Sequence, residues 1–123
     1  MSQKILLIED MQGVRDSLEM ILSMANYEVD TAENGEEGLI KAGSRDYDLI
    51  ITDILMPKTD GIDVILTLEK KGIKIPILAI SAGGNGVSAS DALTVAAQKA
   101  TAILEKPFSK EELLTKVKTL LSA

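Results

Sequence analysis

The sequence has 123 residues, of which 46% are hydrophobic and only 2% aromatic, so we expect one domain with a core of Ile, Leu, Val, Ala and Met. There are 19 acidic and 13 basic residues, and this balance argues against nucleic acid as a partner because no basic stripe is available to displace counterions. The absence of cysteine and histidine excludes disulfides, thiolate metal sites and imidazole chemistry. The first apolar run is too short to span a membrane, and a cytoplasmic protein that binds no membrane is expected.

Five short apolar segments alternate with helical patterns along the chain. The first, Lys4–Ile8, is a nearly continuous aliphatic run, whereas the second, Tyr27–Ala32, alternates apolar and polar residues. The third and fourth, Leu49–Thr52 and Pro76–Ser81, are again nearly continuous, as expected of strands that are covered on both faces. The fifth, Thr101–Lys106, ends in charged residues. The second and fifth segments therefore fit the edges of a sheet.

Helix boundaries are marked by local signals between these segments. Asn34 and Ser109 each precede a glutamate by three residues, which is the spacing of a capping box. Gly43 and Gly72 are typical of helix ends. A fourth helix is predicted in the alanine-rich segment 89–100, and a fifth follows Ser109.

This alternation predicts an α/β fold with a five-stranded parallel sheet, strand order 2-1-3-4-5, and helices on both faces in the flavodoxin-like, doubly wound arrangement. We see no linker or repeat, so residues 1–123 are predicted to form a single domain that stands alone.

Polar side chains follow several of the predicted strands. The first strand is followed by Glu9 and Asp10, the third by Asp53, while the fourth ends in Ser81 and the fifth in Lys106. Because the carboxyl ends of parallel strands meet at one edge, the three acids are expected to converge. Like charges at short range repel unless a cation lies between them, and a set of hard oxygen ligands favours Mg²⁺.

Each of these residues also has an ordinary structural interpretation. Asp10 alone is as well explained as a cap of the first helix, and Glu9 as a solvated strand end. Ser81 and Lys106 fit a turn and a helix entry. Asp53 is the hardest to explain structurally, since an unpaired acid after a buried strand is costly. Jointly, the set suits a carboxylate that attacks phosphorus to give an aspartyl phosphate.

The chain resembles the receiver domain of two-component response regulators over essentially its whole length. The resemblance is carried, in order and at compatible spacing, by the acid pair Glu9-Asp10, the stretch Asp53–Gly61, the dipeptide Ser81-Ala82 and the stretch Lys106–Phe108. It implies a signalling domain rather than an enzyme.

The resemblance also implies a magnesium site. Asp53 would be the phosphoacceptor, with Asp10 and Asp53 as direct Mg²⁺ ligands, Glu9 holding a metal-bound water and the backbone carbonyl of Leu55 completing the protein ligands.

Ser81 and Lys106 would bind the phosphoryl oxygens, and a cis peptide is implied between Lys106 and Pro107. The partners implied are a histidine kinase or histidine phosphotransfer protein and a downstream protein target.

The chain departs from the usual receiver pattern at three places. Glu9 replaces the commoner Asp, and the loop after Ser81 is longer and rich in glycine. Ile103 occupies the position of the aromatic residue that family members use as a switch. We therefore expect signalling through that loop and the predicted fourth helix, on a surface that includes the fifth strand and fifth helix.

Three alternative functions use a related fold or the same site. An Asp-nucleophile phosphatase would need a second acid where Leu55 stands, and a flavin carrier would need a phosphate-binding loop where the sequence has acids after the first strand. A receiver fragment of a larger transcription factor or hybrid kinase would contain the same site.

Overall fold

The computed structural model describes residues 3–53, 61–82 and 100–122, with only the backbone described at positions 61, 62, 81 and 82. Five parallel strands form one sheet in the order β2-β1-β3-β4-β5, as predicted. The strands are β1 (Lys4–Ile8), β2 (Glu28–Ala32), β3 (Leu49–Asp53), β4 (Ile77–Ala82) and β5 (Ala102–Lys106).

Four helices lie in the described part of the chain. They are α1 (Gln12–Met24), α2 (Gly35–Ser44), α3 (Gly61–Lys70) and α4 (Lys110–Leu121), the last being the helix predicted after Ser109. The helix predicted over residues 89–100 lies outside the described residues, apart from Ala100. Among the helices described, none is both long and apolar enough to cross a membrane.

The sheet separates two apolar layers. All five residues of the central strand β3 are buried, whereas the edge strands β2 and β5 are partly exposed, which matches their weaker apolar patterns. Successive residues of β1 point to opposite faces, so Leu6 and Ile8 pack with α2 and α3, and Ile5 and Leu7 pack with α1 and α4. The central strands of the sheet are therefore covered by helices on both faces.

The composition of the core differs from the prediction in its methionines. Met11, Met20 and Met24 are 60%, 60% and 74% exposed, and no methionine is among the buried residues that the structure describes. One aromatic ring is buried instead, since Tyr47 is only 6% exposed. Its hydroxyl donates a hydrogen bond of 2.8 Å to Asp30 Oδ2, so the polar end of the ring is satisfied. Burial, with a contribution from Asp30, raises the pKa of Tyr47 to about 12.

The capping signals correspond to observed helix ends. Asn34 Oδ1 accepts a hydrogen bond from the backbone N–H of Glu37, and Ser109 forms the complete, reciprocal capping box at the start of α4. Gly72 has φ = 72° just after α3, a conformation that glycine adopts without strain. Gly43 does not end its helix as predicted, because α2 continues to Ser44.

The capping box orients α4 directly after β5, and its loss is expected to destabilise the domain. Ser109→Ala removes the acceptor for the backbone N–H of Glu112 and should lower the free energy of unfolding by about 1 kcal/mol in urea denaturation. Ser17→Ala, at an exposed position inside α1, is the control and should stay within about 0.5 kcal/mol of the unsubstituted protein. Equal stability of the two variants would contradict the capping role.

Candidate functional site

The register of the sheet brings the predicted site residues to one edge. In β1 and β3 Ile8 is paired with Thr52, so Glu9 and Asp10 leave the first strand where Asp53 ends the third. Asp53 is paired with Ile80 on β4, and Lys106 on β5 is paired with Ala82. The carboxyl ends of four neighbouring strands thus meet, as expected for a parallel sheet.

The three acids converge as the sequence predicted. One carboxylate oxygen from each of Glu9, Asp10 and Asp53 lies within 4.8 Å of the other two. Glu9 and Asp53 are buried and Asp10 is half-buried. Three negative groups in such a space repel one another, so the cluster requires positive charge, protonation or both.

Lys106 supplies positive charge from the end of β5. Its Nζ donates a hydrogen bond of 3.0 Å to Asp53 Oδ2 and lies 3.9 Å from Glu9 Oε1. The lysine side chain is 32% exposed, while the side chains of Glu9 and Asp53 are 2% and 9% exposed. A single ammonium therefore faces two buried carboxylates from different strands and offsets part of their desolvation.

Glu9 is the most strongly perturbed member of the cluster. Its Oε2 accepts a bond of 3.3 Å from the backbone N–H of Met11, whereas its buried Oε1 has no hydrogen-bond partner among the described residues. Burial raises the pKa of Glu9 to about 7, and the side chains of Asp10 and Asp53 act in the same direction. The Met11 N–H and the ammonium of Lys106 oppose this rise.

The loop that carries the acid pair leads from β1 into α1. Arg15, at the end of the first turn of α1, donates a hydrogen bond of 2.9 Å from Nη1 to the backbone carbonyl of Glu9. This contact was not predicted, because its only signal in the sequence is a basic residue shortly after an acid pair. Met11, not Asp10, is the N-cap of α1, so the alternative interpretation of Asp10 as a helix cap is wrong.

Of the remaining residues predicted for the site, the structure describes only some. The backbone of Ser81 lies in β4, paired with Glu105, while Leu55 and the loop 83–99 lie outside the described residues. The Lys106–Pro107 peptide is cis, as the resemblance implied. Ile103 is partly buried and packs against the apolar layer that contains Ile8.

Comparison with known proteins identifies the family. Residues 5–118 match the family model of the response regulator receiver domain. The chain belongs to this family. Among curated relatives, the receiver is 36% identical over 118 residues to the transcriptional regulatory protein ResD of Bacillus subtilis, covering 96% of this chain and 48% of the relative. It is also 36% identical over 121 residues to the response regulator MprA of Mycobacterium tuberculosis, covering 98% of this chain and 51% of the relative. The receiver thus spans about half the length of the curated relatives it matches.

Solved structures show the same architecture. The response regulator TrrA of Thermotoga maritima, in complex with Mg²⁺–BeF, matches with a TM-score of 0.84 and 36% identity, covering 96% of this chain and 98% of that one. A putative response regulator from Chloroflexus aurantiacus matches with a TM-score of 0.87 and 32% identity over the full length of both chains. The chemotaxis protein CheY4 of Vibrio cholerae matches with a TM-score of 0.84 and 30% identity, covering 98% and 99%. The receiver is accordingly a response-regulator domain of two-component signalling.

The acidic cluster of this receiver has the donor set of a divalent-cation site. Three carboxylates supply hard oxygens, which suit Mg²⁺ better than ions that prefer nitrogen or sulfur. Glu9 Oε1 is buried and has no hydrogen-bond donor within residues 3–53, 61–82 and 100–122, and a cation or its bound water would satisfy it. The residues present therefore fit a magnesium ion.

The raised pKa of Glu9 predicts a pH-dependent stability in the absence of metal. Below about pH 4.5 the Glu9 carboxyl is protonated in both the folded and the unfolded protein. Between about pH 4.5 and 7 this carboxyl holds its proton in the folded protein but loses it in the unfolded protein, so the folded state binds more protons. The free energy of unfolding should therefore fall as pH rises through this window, by about 3 kcal/mol from this group. Urea denaturation in EDTA at pH 5 to 8 measures the slope.

Glu9→Gln removes the titrating group and should flatten this dependence. Glu105→Gln, at an exposed carboxyl on β5, is the matched control and should retain the slope of the original protein. An unchanged slope in Glu9→Gln would contradict the assignment.

Proposed function

We propose that Asp53 accepts a phosphoryl group from the phosphohistidine of a histidine kinase or histidine phosphotransfer protein. The observation that carries the proposal is the contact of 3.0 Å between Lys106 Nζ and Asp53 Oδ2 inside a cluster of three acids, in a chain that belongs to the receiver family. This arrangement combines a nucleophilic carboxylate with a cation able to bind the incoming phosphoryl oxygens.

The proposed reaction is a displacement at phosphorus. A carboxylate oxygen of Asp53 forms the new P–O bond while the P–N bond to the donor imidazole breaks, and the imidazole nitrogen keeps the electron pair and takes up a proton. Because little covalent machinery is required, the protein contributes mainly position and charge. The central, buried position of β3 holds Asp53 in place for this step.

Glu9, Asp10 and Asp53 are proposed to hold Mg²⁺, with the Leu55 carbonyl and a water bound to Glu9 completing the set. When bound, the ion supplies neutralisation of negative charge on the phosphoryl oxygens. The Mg²⁺–BeF complex of the Thermotoga maritima response regulator supports this proposal by similarity.

Phosphorylation adds about −1.5 to −2 charges to a cluster that is already acidic. We propose that the Lys106 ammonium then moves from the Asp53 carboxylate to a phosphoryl oxygen, and that the Ser81 hydroxyl binds another. The protein surface formed by the segment 89–100, β5 and α4 would respond and contact a downstream protein.

Charge and family membership bear on the remaining proposed properties of the domain. With a formal charge of −6, this domain is not proposed to bind nucleic acid, and it is proposed to act in the cytoplasm as a phosphorylated signalling protein rather than as an enzyme. Sustained turnover of phosphomonoesters by the purified protein would contradict the last point. The relatives' regulatory activities, including transcriptional regulation in ResD, belong to chains about twice as long.

Labelling with the small phosphodonor phosphoramidate tests the phosphoacceptor. The original protein should gain one phosphoryl group in the presence of Mg²⁺ and none in EDTA, measured by intact-protein mass spectrometry. Asp53→Asn should lose the label, because an amide is a far weaker nucleophile than a carboxylate. Asp48 is an exposed acid directly before the first residue of β3, at the end of the strand away from Asp53. Asp48→Asn is therefore the control and should label normally. Equal labelling of both variants would place the acceptor elsewhere.

Removal of the Lys106 ammonium should separate phosphorylation from its structural response. Lys106→Met should still accept a phosphoryl group, more slowly, but the amide chemical shifts of β4 and β5 should no longer change on phosphorylation. Lys110→Met, at an exposed lysine that begins α4, should preserve both labelling and the shift changes. Shift changes in Lys106→Met equal to those of the original protein would refute the coupling role.

A further inference from the structure

Gly38 of α2 is packed against the strand that carries the acid pair. A Cβ built at Gly38 would lie 2.4 Å from Ile8 Cδ1 and 2.7 Å from Ile8 Cγ1. Both distances are much shorter than the ordinary van der Waals contact distance of 3.4–4 Å. We propose that Gly38 is a positioning residue for the metal-binding acids, because its missing side chain lets Ile8 hold the end of β1 in place. The inference rests on the proposed magnesium site.

Ile8 has little freedom to move away from an added methyl group. It is 1% exposed, and its β-branched side chain has few alternative rotamers. Its backbone is held on both sides, since it is paired with Ala32 of β2 and Thr52 of β3. The N–H of the next residue, Glu9, donates a bond of 3.0 Å to the Ala32 carbonyl. An extra methyl at position 38 therefore displaces the end of β1, α2 or both.

A displacement at the end of β1 passes directly to the acid pair. Glu9 follows Ile8 in the chain, and its carboxylate must stay within a cluster whose ligand atoms lie within 4.8 Å of one another. Mg²⁺ demands near-ideal octahedral geometry at short distances, so small shifts of its ligands lower its affinity. Gly38 thus acts on the site through Ile8, without touching the acids itself.

The same helix provides a matched control. Gly43 also lies in α2, but a Cβ built there meets nothing within 4 Å. Gly43→Ala and Gly38→Ala both replace a helical glycine with a better helix former, but the added methyl group meets Ile8 only at position 38.

The test is Mg²⁺ titration of the full chain by isothermal calorimetry. Gly38→Ala should raise the Kd for Mg²⁺ by about tenfold, the low end of the effect of substitutions just outside a metal's ligands. Gly43→Ala should leave the Kd unchanged. The double variant Ile8→Val with Gly38→Ala removes the nearest atom, Cδ1, but keeps Cγ1, which lies 2.7 Å from the added Cβ. Because the total volume is conserved while part of the contact is relieved, its Kd should lie clearly below that of Gly38→Ala and closer to that of the original protein.

Amide chemical shifts of the metal-free protein give a second measurement that does not depend on Mg²⁺. Gly38→Ala should shift the amides of Glu9, Asp10 and Asp53, and these shifts should be smaller in the double variant. Shift changes confined to Ile8 and α2, or a Kd equal to that of the original protein, would overturn the positioning role and leave the proposed function intact.

Failure of the proposed function would give a different result, because the original protein would then bind no Mg²⁺ in the titration. The positioning role of Gly38 would be refuted by the same result. If Gly38→Ala alone does not fold, the double variant carries the test, and its failure to recover a folded protein that binds Mg²⁺ would overturn the proposal.

Discussion

The ammonium of Lys106 is the charge on which the arrangement of the acidic edge depends. It lies 3.0 Å from a carboxylate oxygen of Asp53 and 3.9 Å from one of Glu9, and both acids are almost fully removed from water. Burial of two carboxylates in one cluster is costly, and the nearby ammonium offsets part of that cost. The lysine comes from the far edge strand of the sheet, so the positions of β1, β3 and β5 relative to one another determine whether the charges balance.

Sheet topology explains why such distant residues meet. The order β2-β1-β3-β4-β5 places the strand that precedes the acid pair beside the strand that ends in Asp53. Chain segments about fifty residues apart are thereby brought within hydrogen-bonding distance at one edge. Any change that shifts one strand along its neighbour would separate these groups, so the backbone ladder is part of the site.

The sequence was sufficient to predict the fold and the convergence of the acids, because strand burial and strand order follow from apolar patterns and parallel connections. It was not sufficient where the outcome depends on packing. Met20 and Met24 are exposed although their side chains are apolar, and Tyr47 is buried because Asp30 satisfies its hydroxyl. The bond from Arg15 to the Glu9 carbonyl depends on the exact path of the loop into α1, which no periodicity encodes.

The division of β1 between two apolar layers has an evolutionary consequence. Ile5 and Leu7 belong to the layer with α1 and α4, whereas Leu6 and Ile8 belong to the layer with α2 and α3. Side chains that share no neighbours contribute to stability almost additively. Substitutions in the α1–α4 layer should therefore combine almost additively with substitutions in the α2–α3 layer, so that either layer can vary without compensation in the other.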